Sequence, residues 1–214
     1  MVKHEGNKKR IKLQIVNGTT TYTYDLNNSG TYEAFPLQMG DGTYTIRTLE
    51  NVLETTYSVL YSADVTVALS SSLSPYLYPS QRVRFNSSME AVKKSYDLTV
   101  GLTTDEEKVN AIYNYVFETI KYDYSKVSNL TSTYLSNADT TLANKAGICL
   151  DYSVLMAVML RTQGIPTQVV YGSATEASWH AWNKIYYNGT WVLKDATFAA
   201  GGGKGTNYTE SQRY

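Results

Sequence analysis

Reactive sulfur and imidazole are scarce in this chain. Its 214 residues include one cysteine, Cys149, and two histidines, His4 and His180. A lone cysteine excludes an intramolecular disulfide, and these three residues cannot build a Cys/His zinc cluster. The expectation is a site with no metal and no cofactor. The glycine-rich GGGKG at 201–205 lacks the strand–loop–helix context of a phosphate loop. Charge of one sign is also missing, since 19 Lys and Arg balance 19 Asp and Glu. Nucleic acid and anionic membrane surfaces call for a basic excess, so neither is an expected partner. No run is long and apolar enough to span a membrane. The opening MVKHEGNKKR has no apolar segment behind its charges, so it is not a signal peptide. Two locations are consistent with that: secreted or cell-surface, with the export signal outside this sequence, or cytoplasmic.

Tyrosine, by contrast, is abundant, with 20 residues, while charged residues reach only 18%. Polar surface must therefore come largely from Tyr, Thr, Ser and Asn, which suit β-structure and fit a secreted or wall-associated protein. Residues 11 to 69 alternate with period two. Ile11, Leu13 and Ile15 do so, then Tyr22, Tyr24 and Leu26, then Tyr44 and Ile46. Two further runs follow, Tyr57 to Tyr61 and Val65 to Leu69. Such alternation predicts strands with one buried face. Asn17-Gly18, Asn27 to Gly30 and Gly40 to Gly42 supply turns. The expectation is a small all-β, sandwich-like domain over 1–75, closed off by a break containing Pro75 and Pro79.

Near Ser88 the periodicity changes. Ser88 caps a short expected helix through Leu98, and Thr104 with Glu107 has capping-box spacing. Val109, Ile112, Tyr113, Val116, Phe117 and Ile120 then follow an amphipathic helical period. Residues 122–146 read as a long polar loop, and loops of that length are often functional. A helix is expected from Cys149 to about Gln163, stopped by Gly164 and Pro166. A strand follows at 167–172, then a hairpin of 179–187 and 190–198 around Asn188-Gly189. The glycine-rich tail after Phe198 reads as flexible. The fold class expected for the whole chain is α+β.

A thiol opening a helix feels the positive end of the helix dipole, which favours the thiolate. Gly147, just before it, permits close passage of backbone or substrate. If Asn188-Gly189 is a two-residue turn, His180 falls opposite Thr197 and Asp195 opposite Trp182. His180, Trp182, Asp195 and Thr197 then share one face of the hairpin. A carboxylate so placed can accept the imidazole Nδ1–H, leaving the other ring nitrogen for a thiol. On this reading Cys149 is the nucleophile, His180 the base and Asp195 the orienter; taken singly, they also read as a buried core cysteine, a structural histidine and a turn carboxylate. Trp182 walls the cleft beside His180 or serves packing. Asp151 stabilises the first helical turn, and Tyr134 is a candidate oxyanion donor.

The run Gly147-Ile148-Cys149-Leu150-Asp151-Tyr152 resembles the transglutaminase-like core. So do Gly164-Ile165-Pro166, His180-Ala181-Trp182, Trp191-Val192 and Asp195-Ala196-Thr197. The resemblance covers roughly residues 88–198. It implies a papain-like catalytic domain over 76–214, with a nucleophile helix packed on an antiparallel sheet and Cys149, His180 and Asp195 as its triad. The N-terminal β-region resembles the accessory domain of secreted bacterial members. The family's reaction implies a thiol hydrolase acting on peptide or isopeptide bonds through a thioester. An amine-accepting transglutaminase is the alternative, and a non-catalytic cell-surface binding module is a third. A protein or peptide substrate, free or cell-wall associated, is implied in the first two cases.

Overall fold

The computed structural model describes residues 1–5, 9–175 and 177–214. The chain divides into two compact units, Met1–Pro75 and Tyr76–Tyr214.

The first unit is all β. Strands β1 (Ile11–Asn17), β2 (Thr20–Asp25), β3 (Gly42–Leu53) and β4 (Thr56–Val67) form one antiparallel sheet in the order β2-β1-β3-β4. Among the described residues this is a single sheet rather than two facing layers. Its buried face carries Ile11, Leu13, Ile15, Tyr22, Tyr24 and Tyr44, the alternation read from β1 to β3. The connection between β2 and β3 covers part of that face. Phe35 packs 4.9 Å from the Tyr24 ring, and Tyr44 bonds the backbone at Met39 and Gly40. The two expected strands at 57–61 and 65–69 are one continuous strand, β4. No glycine or proline interrupts Ser62-Ala63-Asp64, and pairing to β3 runs on through Asp64↔Thr45. Val59, Tyr61 and Val65 alternate but stay exposed, at 57%, 62% and 43%. Alternation marks a buried face only where something packs on it, and among the described residues of this unit nothing covers these edge-strand side chains.

The second unit mixes helices with an antiparallel sheet. Helix α1 (Glu90–Thr99) precedes α2 (Asp105–Thr119), which opens on the Thr104–Glu107 capping box. The segment expected to be a long loop is partly folded. It holds β5 (Lys121–Tyr122), α3 (Tyr124–Val127), α4 (Ala138–Asn144) and β6 (Ala146–Gly147), with β5 and β6 pairing in parallel. Asp123 and Asn137 cap α3 and α4, and Asp139 accepts the Ala91 N–H of α1 at 2.8 Å. Helix α5 (Cys149–Thr162) then crosses the core. Every residue from Cys149 to Arg161 in it is buried. A helix apolar all round needs partners all round; the sheet, α1, α2 and α4 supply them.

That sheet has the order β10-β7-β8-β9, from β7 (Thr167–Ala174), β8 (Ala177–Tyr187), β9 (Thr190–Lys194) and β10 (Thr209–Arg213). The β8–β9 turn is the expected one. Tyr187 pairs with Thr190, and Asn188 and Gly189 both take positive φ, 52° and 78°. The hairpin ends early, however. Pairing stops at Asn183↔Lys194, and helix α6 (Ala196–Ala200) begins where strand was expected. The tail also departs from expectation. Beyond the glycines, β10 adds an edge to the sheet, and Tyr214 is buried with its backbone paired to Val169. Arg161 locks this end. It is fully buried and donates to the carbonyls of Thr167, Tyr78 and Tyr214 at 2.8–3.0 Å. Burial lowers its pKa. No helix among the described residues is long and apolar enough to cross a membrane.

Candidate active site

Cys149 is the first residue of α5, directly after its N-cap Ile148. It is 3% exposed. Its sulfur lies against the backbone N–H groups of Leu150 and Ala181. The second contact sets the thiol beside the residue that follows His180 on β8. A thiol more acidic than usual was expected from the helix N-terminus. The reverse holds: burial pushes the Cys149 thiol up to about 11. The two N–H groups pull it down, while the nearby carboxylates of Asp195 and Asp151 add to the rise. Loss of water around a buried anion outweighs one helix end.

His180 and Asp195 meet directly. His180 Nε2 lies 2.6 Å from Asp195 Oδ2, with both residues buried. The pair forms as expected, but by another route and through the other nitrogen. Asp195 is not a strand residue opposite Trp182. It is the N-cap of α6, and its Oδ1 accepts the N–H groups of Thr197 and Phe198. Aspartate is a favoured N-cap because its carboxylate satisfies such donors. A carboxylate can only accept, so the bond to it requires a proton on His180 Nε2. The neutral ring then carries its lone pair on Nδ1, not on Nε2 as expected. Three aromatic rings fix the imidazole plane: Phe198 at 4.8 Å, Trp182 at 6.0 Å and nearly parallel, and Tyr208 at 6.5 Å.

Tyr208 was not anticipated. Its hydroxyl donates to Asp195 Oδ2 at 2.8 Å, the same oxygen that accepts the His180 Nε2–H. Burial, then Asp195, raises its own pKa. It reaches this position because Gly205 has no side chain; a Cβ there would overlap the Tyr208 and Phe198 rings. A tyrosine after four nearby glycines carries no local signal of this contact. Trp182 is 1% exposed and packs against Tyr208 at 4.9 Å, so it backs the histidine from within.

Asp151 does far more than stabilise a helical turn. It is wholly buried and collects four donors. Oδ2 accepts the Ile148 N–H at 2.9 Å and Lys126 Nζ at 2.6 Å. Oδ1 accepts the hydroxyls of Tyr134 at 2.6 Å and Ser136 at 2.7 Å. The carboxylate thus ties the segment 126–136 to the start of α5. The Tyr134 hydroxyl is committed to that bond rather than to an oxyanion. Gly147 makes room for it, since a Cβ on Gly147 would sit 2.5 Å from the Asp151 Cβ. The space that glycine leaves is therefore filled by Asp151 and not by a substrate.

Two cavities flank the N-terminus of α5. One, of ≈ 820 Å³, includes His180, Tyr122, Tyr124, Thr197 and Phe198 in its wall. The other, of ≈ 320 Å³, includes Ile148 and Leu150, the neighbours of Cys149 on either side. They share no lining residue.

A helix-opening cysteine, a histidine paired to an aspartate, and an antiparallel sheet under the helix are the parts the motif resemblance implied. Residues 93–196 match the model of the transglutaminase-like superfamily. That span is similar to a transglutaminase-like core. The matched span runs from α1 to the first residue of α6 and contains Cys149, His180 and Asp195. Among proteins similar to it is the kyphoscoliosis peptidase of Homo sapiens, 29% identical over 116 residues, 49% of this chain and 17% of that protein. The Mus musculus counterpart is 28% identical over 116 residues, with the same coverage. The chain thus spans only 17% of the length of these relatives. Its fold is similar to the crystal structure of a "Putative Cysteine Protease" from Cytophaga hutchinsonii. The TM-score is 0.52 and the identity 17%, over 98% of this chain and 90% of that one.

Proposed function

We propose that this protein is a thiol-dependent amide-bond hydrolase acting on peptide or isopeptide bonds, with Cys149 as nucleophile, His180 as general base and acid, and Asp195 as the group that orients the imidazole. The observation that carries this reading is the buried 2.6 Å bond from His180 to Asp195, beside the only cysteine of the chain at a helix N-terminus.

The chemistry follows from the tautomer. Asp195 holds the proton on Nε2, so Nδ1 is the basic atom. Because burial keeps the resting thiol protonated, the thiolate is made at the moment of attack. As Sγ bonds to the substrate carbonyl carbon, the thiol proton passes to Nδ1. The carbonyl π electrons move to oxygen, where the backbone N–H at the head of α5 is the available donor. The resulting imidazolium is stabilised by Asp195, whose two oxygens are held by Tyr208 and by the N-terminus of α6. Collapse of the adduct breaks the C–N bond, and Nδ1–H protonates the departing amine. A thioester on Cys149 remains. Water, deprotonated by His180, then releases the acid and restores the thiol.

An amine can replace water in that second step, which would make the protein an acyltransferase. Hydrolysis is preferred here because the similar proteins named above are described as peptidase or protease. The all-β unit is assigned an accessory role, and the Tyr- and Thr-rich composition favours a secreted or surface setting. A glutamine-containing donor peptide offered with and without a labelled primary amine tests the assignment. Ammonia release without amine incorporation supports hydrolysis; stoichiometric incorporation supports transfer. No acyl chemistry in the wild type, or undiminished chemistry in Cys149→Ala, would sink both.

A further inference from the structure

The smaller cavity has walls suited to one kind of occupant. Leu130, Ile148, Leu150, Tyr171 and Trp179 give it apolar and aromatic sides, and Thr131 and Ser132 form part of its rim. Trp179 is 48% exposed, an unusual state for so large an apolar side chain, and its ring lies 5.8 Å from that of Tyr171. Among the described residues no carboxylate lines it. Its one charged lining residue is Arg82, whose guanidinium stacks over the rings of Tyr171 at 6.0 Å and Tyr214 at 5.3 Å. The segment that supplies Leu130, Thr131 and Ser132 is anchored at Tyr134, Ser136 and Lys126 to the buried Asp151. The cavity wall is thereby fixed to the same helix turn that carries the thiol.

The position of the cavity gives it a side of the scissile bond. His180 must protonate the departing amine, so the amine portion of a substrate belongs in the larger cavity that His180 lines. The smaller cavity begins at Ile148 and Leu150 and excludes His180. It is left for the acyl portion, which stays on sulfur after cleavage. We propose that this cavity is an acyl-side subsite that takes one uncharged apolar side chain, aliphatic or aromatic, of a peptide substrate. The inference rests on the thiol mechanism proposed above. A volume of ≈ 320 Å³ is at the small end of ligand sites, ample for one side chain. A cationic side chain there would lie near Arg82 with no carboxylate to pair with, and desolvating an unpaired charge is costly.

Matched peptidyl chloromethyl ketones test this on the full chain. They differ only in the first or second acyl-side residue, Leu, Phe, Glu or Lys. Alkylation forms the Sγ–carbon bond and expels chloride, and intact mass follows its rate. Each rate is divided by the iodoacetamide rate of the same variant, which removes differences in intrinsic thiol reactivity. The expected result is that at one position the Leu and Phe probes react about tenfold or more faster than Lys and Glu probes, the scale of burying one apolar side chain. Thr131→Arg, which narrows and charges the rim, should reduce that ratio to near one. Trp179→Ala should reduce it in part, most for Phe. Equal rates for all four probes at both positions, a Glu or Lys preference, or an unchanged Leu preference in Thr131→Arg would overturn the subsite while leaving the thiol mechanism standing. No reaction of native Cys149 with iodoacetamide at any pH would overturn the mechanism and the subsite together.

Discussion

The two units bury their residues differently. In Met1–Pro75 one sheet buries one face, its core is a row of alternating aliphatic and tyrosine side chains, and the edge strand β4 leaves Val59, Tyr61 and Val65 exposed. In Tyr76–Tyr214 a helix is enclosed on all sides, and polar groups are enclosed with it: Asp151, Arg161, His180 and Asp195. A one-sided core can be read from period two and tolerates change on its open face. An enclosed core has no open face, and its charged members survive only by collecting hydrogen bonds. The proposed chemistry belongs to the enclosed unit, where the His180–Asp195 pair is shielded from water and its orientation is over-determined.

The sharpest way to break this contrast is at Asp151. Asp151→Ala strips the partner from four donors at once and should destabilise the second unit by about 3–5 kcal/mol, measured by urea unfolding with tryptophan fluorescence. All three tryptophans, 179, 182 and 191, report on that unit. Arg161→Met should rank next, at about 2–4 kcal/mol, because the Thr167, Tyr78 and Tyr214 carbonyls each lose a charged donor.

A smaller effect comes from the thiol. The folded pKa of Cys149 is raised to about 11, so the folded state holds its proton more tightly than the unfolded chain. Its contribution to stability is complete below the unfolded value, about 8.5, and is lost as pH rises through the folded value. Cys149→Ala should therefore gain on wild type by roughly 2 kcal/mol between about pH 8 and pH 11. Alkylation of the wild-type thiol by iodoacetamide should be slow below pH 7 and climb through the alkaline range. A reaction already at its plateau near pH 5 would instead mean a preformed ion pair. At the far end, Tyr61→Ser on the exposed edge strand β4 should change stability by no more than about 0.5 kcal/mol. A loss of several kcal/mol there would mean that β4 is not the bare edge described.

How far the sequence carried can be judged at particular residues. The Asn188-Gly189 turn set the register of the β8–β9 hairpin, and with it the approach of His180 to Asp195. The extension of that hairpin past Lys194 failed because Asp195 answers to a local preference, capping a helix, that outranks one more strand pair. The choice of imidazole nitrogen followed the same wrong extension. The sign of the Cys149 shift was missed because helix dipoles are visible in a sequence and desolvation is not. Asp151 looked like a helix-turn residue because its partners at 126, 134 and 136 are distant in sequence and close only in the fold. Tyr208 and β10 were hidden behind the glycines at 201–205 and by the polar run Thr209 to Arg213, which has no apolar alternation. In β4 the alternation was real and the inference of burial was not, since period two cannot say whether a second layer exists.

The most direct test of the central claim is to trap the acyl-enzyme. Wild type and Cys149→Ala would be incubated with a reactive peptide ester or anilide, quenched in acid within the first turnovers, and analysed by peptide mass spectrometry. A thioester on Cys149 is expected in the wild type. Slower formation is expected in His180→Ala, a rate about 10²–10⁴-fold down in Asp195→Asn, and no adduct or turnover in Cys149→Ala. Amide cleavage that persists in Cys149→Ala, or turnover by the wild type with the acyl group on a residue other than Cys149, would contradict that claim.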